Sequence, residues 1–324
     1  MKQEPLFLKP VFHEKIWGGR NLETDFGYDI PDGKIGECWA ISGHPHGVSV
    51  VTNGEFAGQN LTDLFRNQPA LFGHPTGDRF PLLTKILDAN GKLSVQVHPA
   101  DDYAMTHENE LGKTECWYVL KAKPGAYLVY GHKAKIKEEL DKLIDEAKWG
   151  QLLGKLTVKT GDFVYVPSGT IHALTEGIEV LETQQSSDVT YRLYDYDRTD
   201  DQGNKRELHL GPAKDVITVP FKLPKLHQTT EQVVDSTITT LVTAPDSPYF
   251  TVKKLTVFGD LPQSRDEAPF TLCSVVAGDG QITVGGQTYD LKRGTHFILP
   301  NDIQDWTWHG KMVVITSYPN EGKY

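Results

Sequence analysis

The amino-acid sequence predicts a mainly β protein built of two barrel-like β domains with one short helical insertion. Three observations support this prediction: short strand-like segments between turn residues, one segment with helical spacing, and a weak internal repeat. The chain has 324 residues, about twice the size of a typical domain. Hydrophobic residues make up 38% and charged residues 23% of the chain, which excludes a disordered or fibrous protein.

The strand prediction comes from short apolar runs bounded by Gly, Pro, Asn and Asp. Close turn signals between such runs favour a sandwich or barrel over βαβ units. The predicted strands are Gly47 to Val51, Leu93 to His98, Cys116 to Leu120, Ala126 to Tyr130, Phe163 to Val166, Ile178 to Thr183, Phe250 to Phe258, Gln281 to Val284 and Val313 to Ser317.

One segment, residues 133–153, breaks the strand pattern. Its apolar residues Ile136, Leu140, Leu143, Ile144 and Ala147 recur at helical spacing, with Lys and Glu between them. The spacing predicts an amphipathic helix, or two, inserted between strands and packed on the edge of a sheet.

A weak repeat relates residues 157–172 to residues 289–303. In each stretch five residues, with alternating apolar side chains, separate a glycine, Gly161 or Gly294, from a proline, Pro167 or Pro300. A duplicated β domain explains this pairing. Prolines and a Lys, Thr and Gln run interrupt the strand pattern near residues 219–232. We therefore predict one domain over residues 1–225 and a second over residues 226–324.

Charge and cysteine usage restrict the partners and the compartment. Asp and Glu outnumber Lys and Arg by 43 to 33, so nucleic-acid binding is not expected. Cys38, Cys116 and Cys273 are too few and too far apart for a disulfide framework or a CxxC metal site. No signal peptide and no run of eighteen apolar residues is present. We expect a cytoplasmic protein without a membrane partner, as a monomer or weak homo-oligomer.

Polar residues share one face of the predicted strand that starts at Leu93. Side chains alternate along a strand, so Ser94, Gln96 and His98 point one way and the apolar residues the other. An amide oxygen and an imidazole two residues apart can bind one metal ion together. The alternative for His98 is a surface position or a hydrogen-bonded place in the core.

Further charged residues follow on later strands. Lys113 and Glu115 share a face, although such a pair is commonly solvated. Glu182 shares a strand face with Val180, and a buried acid is unusual unless it is paired or functional.

Two arginines end this series. Arg192 and Arg198 lie at even spacing, on one face if their strand is unbroken. The alternative is a pair of surface ion pairs with Asp195 and Asp197.

Gly161, Pro167, Gly169 and His172 form the motif G-x5-P-x-G-x2-H in the first stretch of the repeat. This motif resembles the second conserved motif of the cupin superfamily of small β-barrels, where the strand supplies a metal-binding His. In the second stretch, Gly294 and Pro300 remain but no His stands at the matching place. The resemblance implies a second barrel without a metal.

Taken in order, Q-x-H-P, K-T-E, P-x-G-x-x-H-A, an acidic strand and Y-R-L-Y-D-Y-D-R resemble the type I phosphomannose isomerases in their compact bacterial form. The segments 15–19, 36–39 and 80–85 resemble that family too. The likeness runs from about residue 6 to about residue 198, with a looser C-terminal continuation. Longer members carry a large helical domain, whereas only residues 133–153 are available here.

The resemblance implies a zinc-dependent enzyme that interconverts mannose 6-phosphate and fructose 6-phosphate through a cis-enediolate. One zinc per chain is expected, because the second copy has no His after Pro300 and no acidic partner on a facing strand is predicted for His296 or His309. The implied metal ligands are Gln96, His98, Glu115 and His172. The implied catalytic residues are Arg192 and Glu182, and the implied substrate-binding residues are Ser94, Lys113 and Arg198.

Two other function classes stay open at this point. A cupin with two His and a carboxylate can hold iron and act as an oxygenase. The Gln ligand and the clustered Lys and Arg favour an anionic sugar instead. A non-catalytic sugar-binding cupin is the other alternative, and it would be expected to lack a ligand or Arg192, which this chain retains.

Overall fold

The structure, a computed structural model, describes residues 3–323 and is mainly β, as predicted. The first half contributes the strands β1 Leu6–Lys9, β2 Val11–Gly19, β3 Ile35–Ser42, β4 Val50–Val51, β5 Leu82–Ala89, β6 Val95–Val97, β7 Glu115–Ala122, β8 Tyr127–His132, β9 Leu153–Thr157, β10 Phe163–Val166, β11 His172–Ala173, β12 Ile178–Gln185 and β13 Tyr191–Tyr194. The second half contributes β14 Thr229–Val233, β15 Ser236–Val242, β16 Phe250–Ser264, β17 Thr271–Val284, β18 Gln287–Lys292, β19 His296–Leu299 and β20 Asp305–Pro319.

Short helices connect these strands. They are α1 Asn21–Phe26, α2 Leu61–Asn67, α3 Asp101–His107, α4 Lys137–Asp145, α5 Trp149–Leu152 and α6 Leu210–Val216, with 3-10 turns at Gly54–Phe56 and Pro69–Phe72. Within residues 3–323, no helix is long and apolar enough to cross a membrane.

Three sheets organise the strands. A six-stranded sheet has the order β10-β7-β12-β5-β3-β2, and a five-stranded sheet has the order β13-β6-β11-β8-β9. A nine-stranded sheet has the order β14-β15-β16-β20-β17-β19-β1-β4, with β18 paired to β17. The first two sheets belong to the first half of the chain, and the third contains every strand of the second half.

The N-terminal strand joins the sheet of the other half. Leu6 pairs with Ile298 on β19, and Leu8 pairs with Val51 on β4. The predicted strand at residues 47–51 is only β4 in the structure, two residues long. The proposed boundary at residue 225 therefore leaves one short N-terminal segment paired across it.

The helical insertion forms two helices, α4 and α5. Leu140 and Ile144 are buried against a cluster that includes Val95 and Val97 of β6, because apolar residues four apart share one helix face. The predicted periodicity extends beyond the helix at both ends, since Ile136 precedes α4 and is 58% exposed. The insertion thus supports the sheet from which the polar strand projects its side chains.

Candidate metal centre and active-site cavity

Strand pairing brings four of the predicted residues to one place between the five-stranded and six-stranded sheets. His172 on β11 pairs directly with Gln96 on β6, and His98 follows the end of that strand. Glu115 begins β7 on the facing sheet. The local sequence explains this placement: Val95 and Val97 turn into the apolar cluster, so the polar side chains of the same strand turn the other way.

A three-residue centre results from this placement. His98 Nε2 lies 3.4 Å from Glu115 Oε2, and His172 Nε2 lies 3.3 Å from Glu115 Oε1. The ligand-type atoms of the three residues all lie within 4.8 Å of one another, and all three side chains are buried. A buried cluster of this kind can hold a metal ion.

Hydrogen bonds orient both imidazoles toward Glu115. The other ring nitrogen, Nδ1, lies 2.8 Å from the Val189 carbonyl in His98 and 2.9 Å from the Thr170 carbonyl in His172. A carbonyl can only accept, so Nδ1 carries the proton in each ring and the Nε2 lone pair faces Glu115. Metal-binding histidines are oriented in the same way by a backbone carbonyl on their second nitrogen.

Protonation at the centre suits a cation. Burial lowers the pKa of His98 to about 3, with the neighbouring Lys113 charge adding to the effect, and burial also lowers the pKa of His172. Burial alone would raise the pKa of Glu115, but the Lys113 charge and the interactions with His172 and His98 together outweigh it, and the pKa lies well below the usual range. Both imidazoles are then neutral and the carboxylate is ionised at neutral pH. Glu115 Oε1 is buried and has no hydrogen-bond partner.

Gln96 and Lys113 complete the centre. The side-chain amide nitrogen of Gln96 lies 3.4 Å from His172 Nε2. Rotation of this amide by half a turn places its oxygen, instead of its nitrogen, toward the centre. Lys113 Nζ lies 2.8 Å from His98 Nε2 and also donates to Glu115 Oε2. The ammonium group thus contacts the same lone pairs that a metal ion would use, which shows that this centre attracts positive charge.

A polar cavity of about 310 Å³ opens beside the centre. Five cationic side chains line it against three carboxylates, so it suits an anionic ligand. Five of the predicted residues, Ser94, Gln96, Lys113, Glu182 and Arg192, are brought together here. The full lining is Lys15, Trp17, Glu37, Lys85, Leu87, Leu93, Ser94, Gln96, Lys113, Glu182, Asp188, Thr190, Arg192 and Arg206.

Glu182 is a buried acid of this cavity. The Trp117 indole N–H donates to Glu182 Oε2 at 2.8 Å, and Lys85 Nζ lies 3.9 Å from Glu182 Oε1. Burial raises the pKa of Glu182 to about 7, and the negative charge of Glu115 adds to the rise. A carboxyl group with this pKa can both accept and return a proton near neutral pH.

Arg192 is held in place from two sides. Its Nη1 donates to the Glu207 carbonyl at 2.8 Å, and its Nε lies 3.3 Å from Ser94 Oγ. One terminal nitrogen remains free of these two contacts, so a positioned guanidinium faces the cavity with donor capacity to spare.

The structure does not bring Arg198 to the cavity. Strand β13 ends at Tyr194, and Tyr196 and Asp197 have positive φ angles of 59° and 54°, so the alternation that would align Arg198 with Arg192 is broken. Arg198 instead donates to the Lys92 carbonyl. It also donates to Asp195 Oδ1, from Nε at 2.9 Å and from Nη2 at 2.6 Å.

Arg206, which the sequence reasoning missed, lines the cavity instead. Asp195 accepts two hydrogen bonds from it, from Nε at 2.8 Å and from Nη2 at 2.6 Å. Such paired bonds fix the plane of the guanidinium. Arg206 lies in a loop without strand periodicity, so its side-chain direction could not be predicted.

Lys85 is a second residue without a predicted role. It lies opposite Glu182 in the pairing of β5 with β12, 3.9 Å from Glu37 Oε2 and 4.5 Å from the centre of the Trp39 ring. Lys85 stands in the largely apolar strand start L-L-T-K-I-L. Because Lys is rarely buried without a partner, this position is the signal from which its role could have been predicted.

The protein is a β protein in which a buried centre of two histidines and a carboxylate can hold a metal ion, beside a cationic cavity that suits an anionic ligand. A family model described as phosphomannose isomerase type I, catalytic domain, matches residues 6–136. A second, described as mannose-6-phosphate isomerase, cupin domain, matches residues 237–319.

Curated relatives match over nearly the whole chain. Mannose-6-phosphate isomerase of Streptococcus mutans is 52% identical over 318 residues, which cover 98% of this chain and 99% of that protein. Mannose-6-phosphate isomerase ManA of Bacillus subtilis is 50% identical and covers 98% and 100%. The chain therefore belongs to the type I phosphomannose isomerase family, and the predicted isomerase class is confirmed.

Solved structures agree with this assignment. The crystal structure of mannose 6-phosphate isomerase from Bacillus subtilis superposes with a TM-score of 0.94 at 47% identity, over 98% of this chain and 100% of that one. A putative mannosephosphate isomerase from Archaeoglobus fulgidus gives a TM-score of 0.72 at 20% identity over 98% of each chain, which shows the shared fold.

Proposed function

We propose that this chain is a zinc-dependent isomerase that interconverts mannose 6-phosphate and fructose 6-phosphate through a cis-enediolate. The observation that carries the proposal is the convergence of His98, Glu115 and His172 beside a cavity lined by Arg192 and Glu182. The buried, unpaired cysteines fit a reducing compartment, so we place the reaction in the cytoplasm, in a monomer or weak homo-oligomer.

The residues of the centre fit a zinc ion. Two neutral imidazoles, an ionised carboxylate and an amide oxygen form a donor set that zinc accepts, and the unpaired Glu115 Oε1 has no other partner there. Gln96, His98, Glu115 and His172 would hold one ion per chain. When bound, zinc would act as a Lewis acid toward a carbonyl oxygen of the sugar.

Proton transfer is assigned to Glu182. Isomerisation moves one proton between the adjacent carbons C1 and C2, so the enzyme needs a base that takes the proton and returns it. The Trp117 N–H holds one carboxylate oxygen of Glu182, and the raised pKa makes the group active near neutral pH. Lys113 lies between the centre and the cavity and is the alternative proton carrier.

Charge stabilisation is assigned to Arg192. The enediolate carries negative charge on oxygen, and a fixed guanidinium stabilises that charge without giving up its own proton. The contacts with Ser94 and Glu207 orient Arg192 before substrate arrives, which avoids reorganisation during the reaction.

Phosphate recognition is assigned to Arg206 together with Ser94 and Lys113. A guanidinium fork suits phosphate oxygens, and Asp195 holds that of Arg206 at the cavity wall. Arg198 shares the Asp195 carboxylate, so its proposed role in substrate binding acts through this cluster rather than by lining the cavity.

A coupled assay for fructose 6-phosphate formed from mannose 6-phosphate tests the proposal. We expect turnover to be lost after chelation and dialysis and to return with zinc. Full turnover by rigorously metal-free protein would contradict the zinc assignment. Oxygen consumption by iron-loaded protein would favour an oxygenase, and sugar binding without turnover would favour a non-catalytic cupin.

A further inference from the structure

A second polar cavity, of about 450 Å³, lies apart from the catalytic one. We call it the His44 pocket. Among the described residues, the two cavities have no lining residue in common. Its lining is Gly43, His44, Pro45, Val48, Asn60, Thr62, Asp63, Arg66, Arg79, Phe80, Glu110 and Ser186.

His44 presents a buried donor to this pocket. The backbone N–H of His46 donates to His44 Nδ1 at 3.2 Å, so Nδ1 is an acceptor and the proton of the neutral ring lies on Nε2. The side chain is 2% exposed, and Nε2 has no hydrogen-bond partner. A buried donor left unpaired is costly, so an acceptor that enters the cavity would be stabilised by bonding to it.

A carboxylate already stands near this donor, too far away to bond to it. Glu110 Oε1 lies 3.8 Å from His44 Nε2, and Glu110 Oε2 lies 3.7 Å from Arg79 Nη1. Both distances exceed hydrogen-bonding range. Arg66 supplies a second guanidinium to the same lining. His44 Nε2 and Arg79 Nη1 therefore both face Glu110, but its carboxylate is not within hydrogen-bonding distance of either donor.

We propose that the His44 pocket is a second anion site that binds a phosphate group, through the His44 Nε2–H and the guanidinium of Arg79, by displacing Glu110. Phosphate suits the site because it accepts from a neutral N–H and from a guanidinium fork at once. Its oxygens can approach both donors more closely than a carboxylate tethered to the backbone at residue 110. The site would accept inorganic phosphate or the phosphate group of a small ester.

Histidine-selective ¹⁵N NMR of the whole protein, titrated with inorganic phosphate, tests the site directly. The His44→Gln variant assigns the His44 signal among the 12 histidines of the chain. We expect the Nε2–H signal of His44 to move saturably with phosphate, and not with sodium chloride of equal ionic strength. Glucose 6-phosphate and glycerol 3-phosphate, titrated in the same way, distinguish an ester from the free ion.

Variants on the pocket rim give opposite expected shifts. Arg79→Gln should weaken the phosphate affinity about tenfold, since it removes one charged donor. Glu110→Gln should strengthen the affinity by roughly three- to tenfold, because a competing negative charge is removed. These side chains are 41% and 28% exposed, so both variants should fold. Arg192→Ala should leave the His44 titration unchanged, since Arg192 lies in the other cavity.

Three outcomes would overturn the proposal. A His44 signal that ignores phosphate would mean that water satisfies the donor. An equal response to chloride would mean that only ionic strength is sensed. Unchanged affinity in both rim variants would place the phosphate elsewhere.

Discussion

His172 and His296 lie in the two halves of the chain, and both imidazoles are almost fully buried. His172 Nε2 faces the carboxylate of Glu115, whereas both nitrogens of His296 are occupied by hydroxyl groups. Tyr28 Oη lies 2.8 Å from His296 Nε2, and Ser274 Oγ lies 2.9 Å from His296 Nδ1. Burial lowers the pKa of His296 to about 3, as for His98, so neutrality alone does not make a metal ligand. His172 differs from His296 in that its Nε2 faces a buried carboxylate instead of a hydroxyl group.

The interiors around these histidines differ in the same sense. The first half holds charged side chains around a cavity, whereas the second is filled by an apolar cluster that includes Phe297, Trp308 and Val314. The Trp308 N–H is satisfied within the fold, by Gln263 Oε1 at 2.7 Å. His309 is likewise bound on both nitrogens, by Asp260 and Thr283. His296, Trp308 and His309 therefore have their ring nitrogens paired within the fold, which leaves none of them directed at a buried carboxylate centre.

The largest expected effect separates the two histidines directly. His172→Ala should abolish zinc binding and turnover, because one of two imidazole ligands is lost. His296→Ala should keep about one zinc per chain and the wild-type kcat, at some cost in stability from the two lost hydrogen bonds. Metal analysis and the isomerase assay on both variants check this. Loss of zinc from a folded His296→Ala protein would show that the metal binds in the second half of the chain and would contradict the assignment to His172.

The second effect compares two half-buried arginines. Arg192→Ala should lower kcat by roughly 10²–10³-fold with zinc retained, and Arg192→Lys should recover little, since a point charge does not replace a planar fork. Arg265 in the second half instead donates to backbone carbonyls, including those of Ile303 and Ala268. Arg265→Ala should lower the melting temperature while the folded fraction keeps its kcat. A near-wild-type kcat in Arg192→Ala would refute its assignment.

A smaller effect is expected from Asp195→Asn. An amide replaces the carboxylate that accepts both bonds from Arg206, so phosphate binding should weaken. We expect KM, and the inhibition constant of inorganic phosphate, to rise about tenfold with kcat nearly unchanged. Asp197→Asn is the matched control, because Asp197 pairs only with exposed Lys205 among its recorded ion pairs. Equal KM values for the Asp195 and Asp197 variants would contradict the role of this cluster.

The smallest effect concerns the contact between the halves, and only stability should respond. Glu179 is buried and lies 3.5 Å from Arg293 of the second half. Burial, with Asp25 and Asp88 nearby, raises the pKa of Glu179 from 4.5 to about 8. Because the folded-state pKa is raised, the stability contribution is complete below pH 4.5 and is lost as the pH rises toward 8.

Glu179→Gln removes this titration. The melting temperature of the variant minus that of the wild type should therefore increase by a few degrees as the pH rises from 5 to 8.5, while kcat stays the same. Thermal unfolding across this range measures the difference. A melting-temperature difference that does not change with pH would show that the pKa of Glu179 is the same in the folded and the unfolded protein.

Strand alternation predicted much of the site. It placed Ser94, Gln96 and His98 on one face, and the structure turns Val95 and Val97 of the same strand into the apolar cluster. Local periodicity was sufficient here because burial on one side of a strand fixes the direction of every second side chain.

Alternation failed where the chain leaves the sheet. Positive φ angles at Tyr196 and Asp197 turn Arg198 onto Asp195, and the returning loop delivers Arg206 instead. Asp197 tolerates this conformation, but Tyr196 rarely adopts it, so the composition gave little warning of the turn. The burial of Lys85 depends in turn on the pairing of β5 with β12, which local patterns do not specify.

The pairing of Leu6–Lys9 with His296–Leu299 sets an order of events during synthesis. Strand β1 is synthesised long before its neighbour β19, and β19 in turn has an open side until β1 docks. An exposed strand edge is a site for pairing with other chains. A fragment that starts at residue 226 would expose the β19 edge permanently. In a circular permutant that fuses residues 3–20 after residue 323, β1 would pair with β19 and protect that edge.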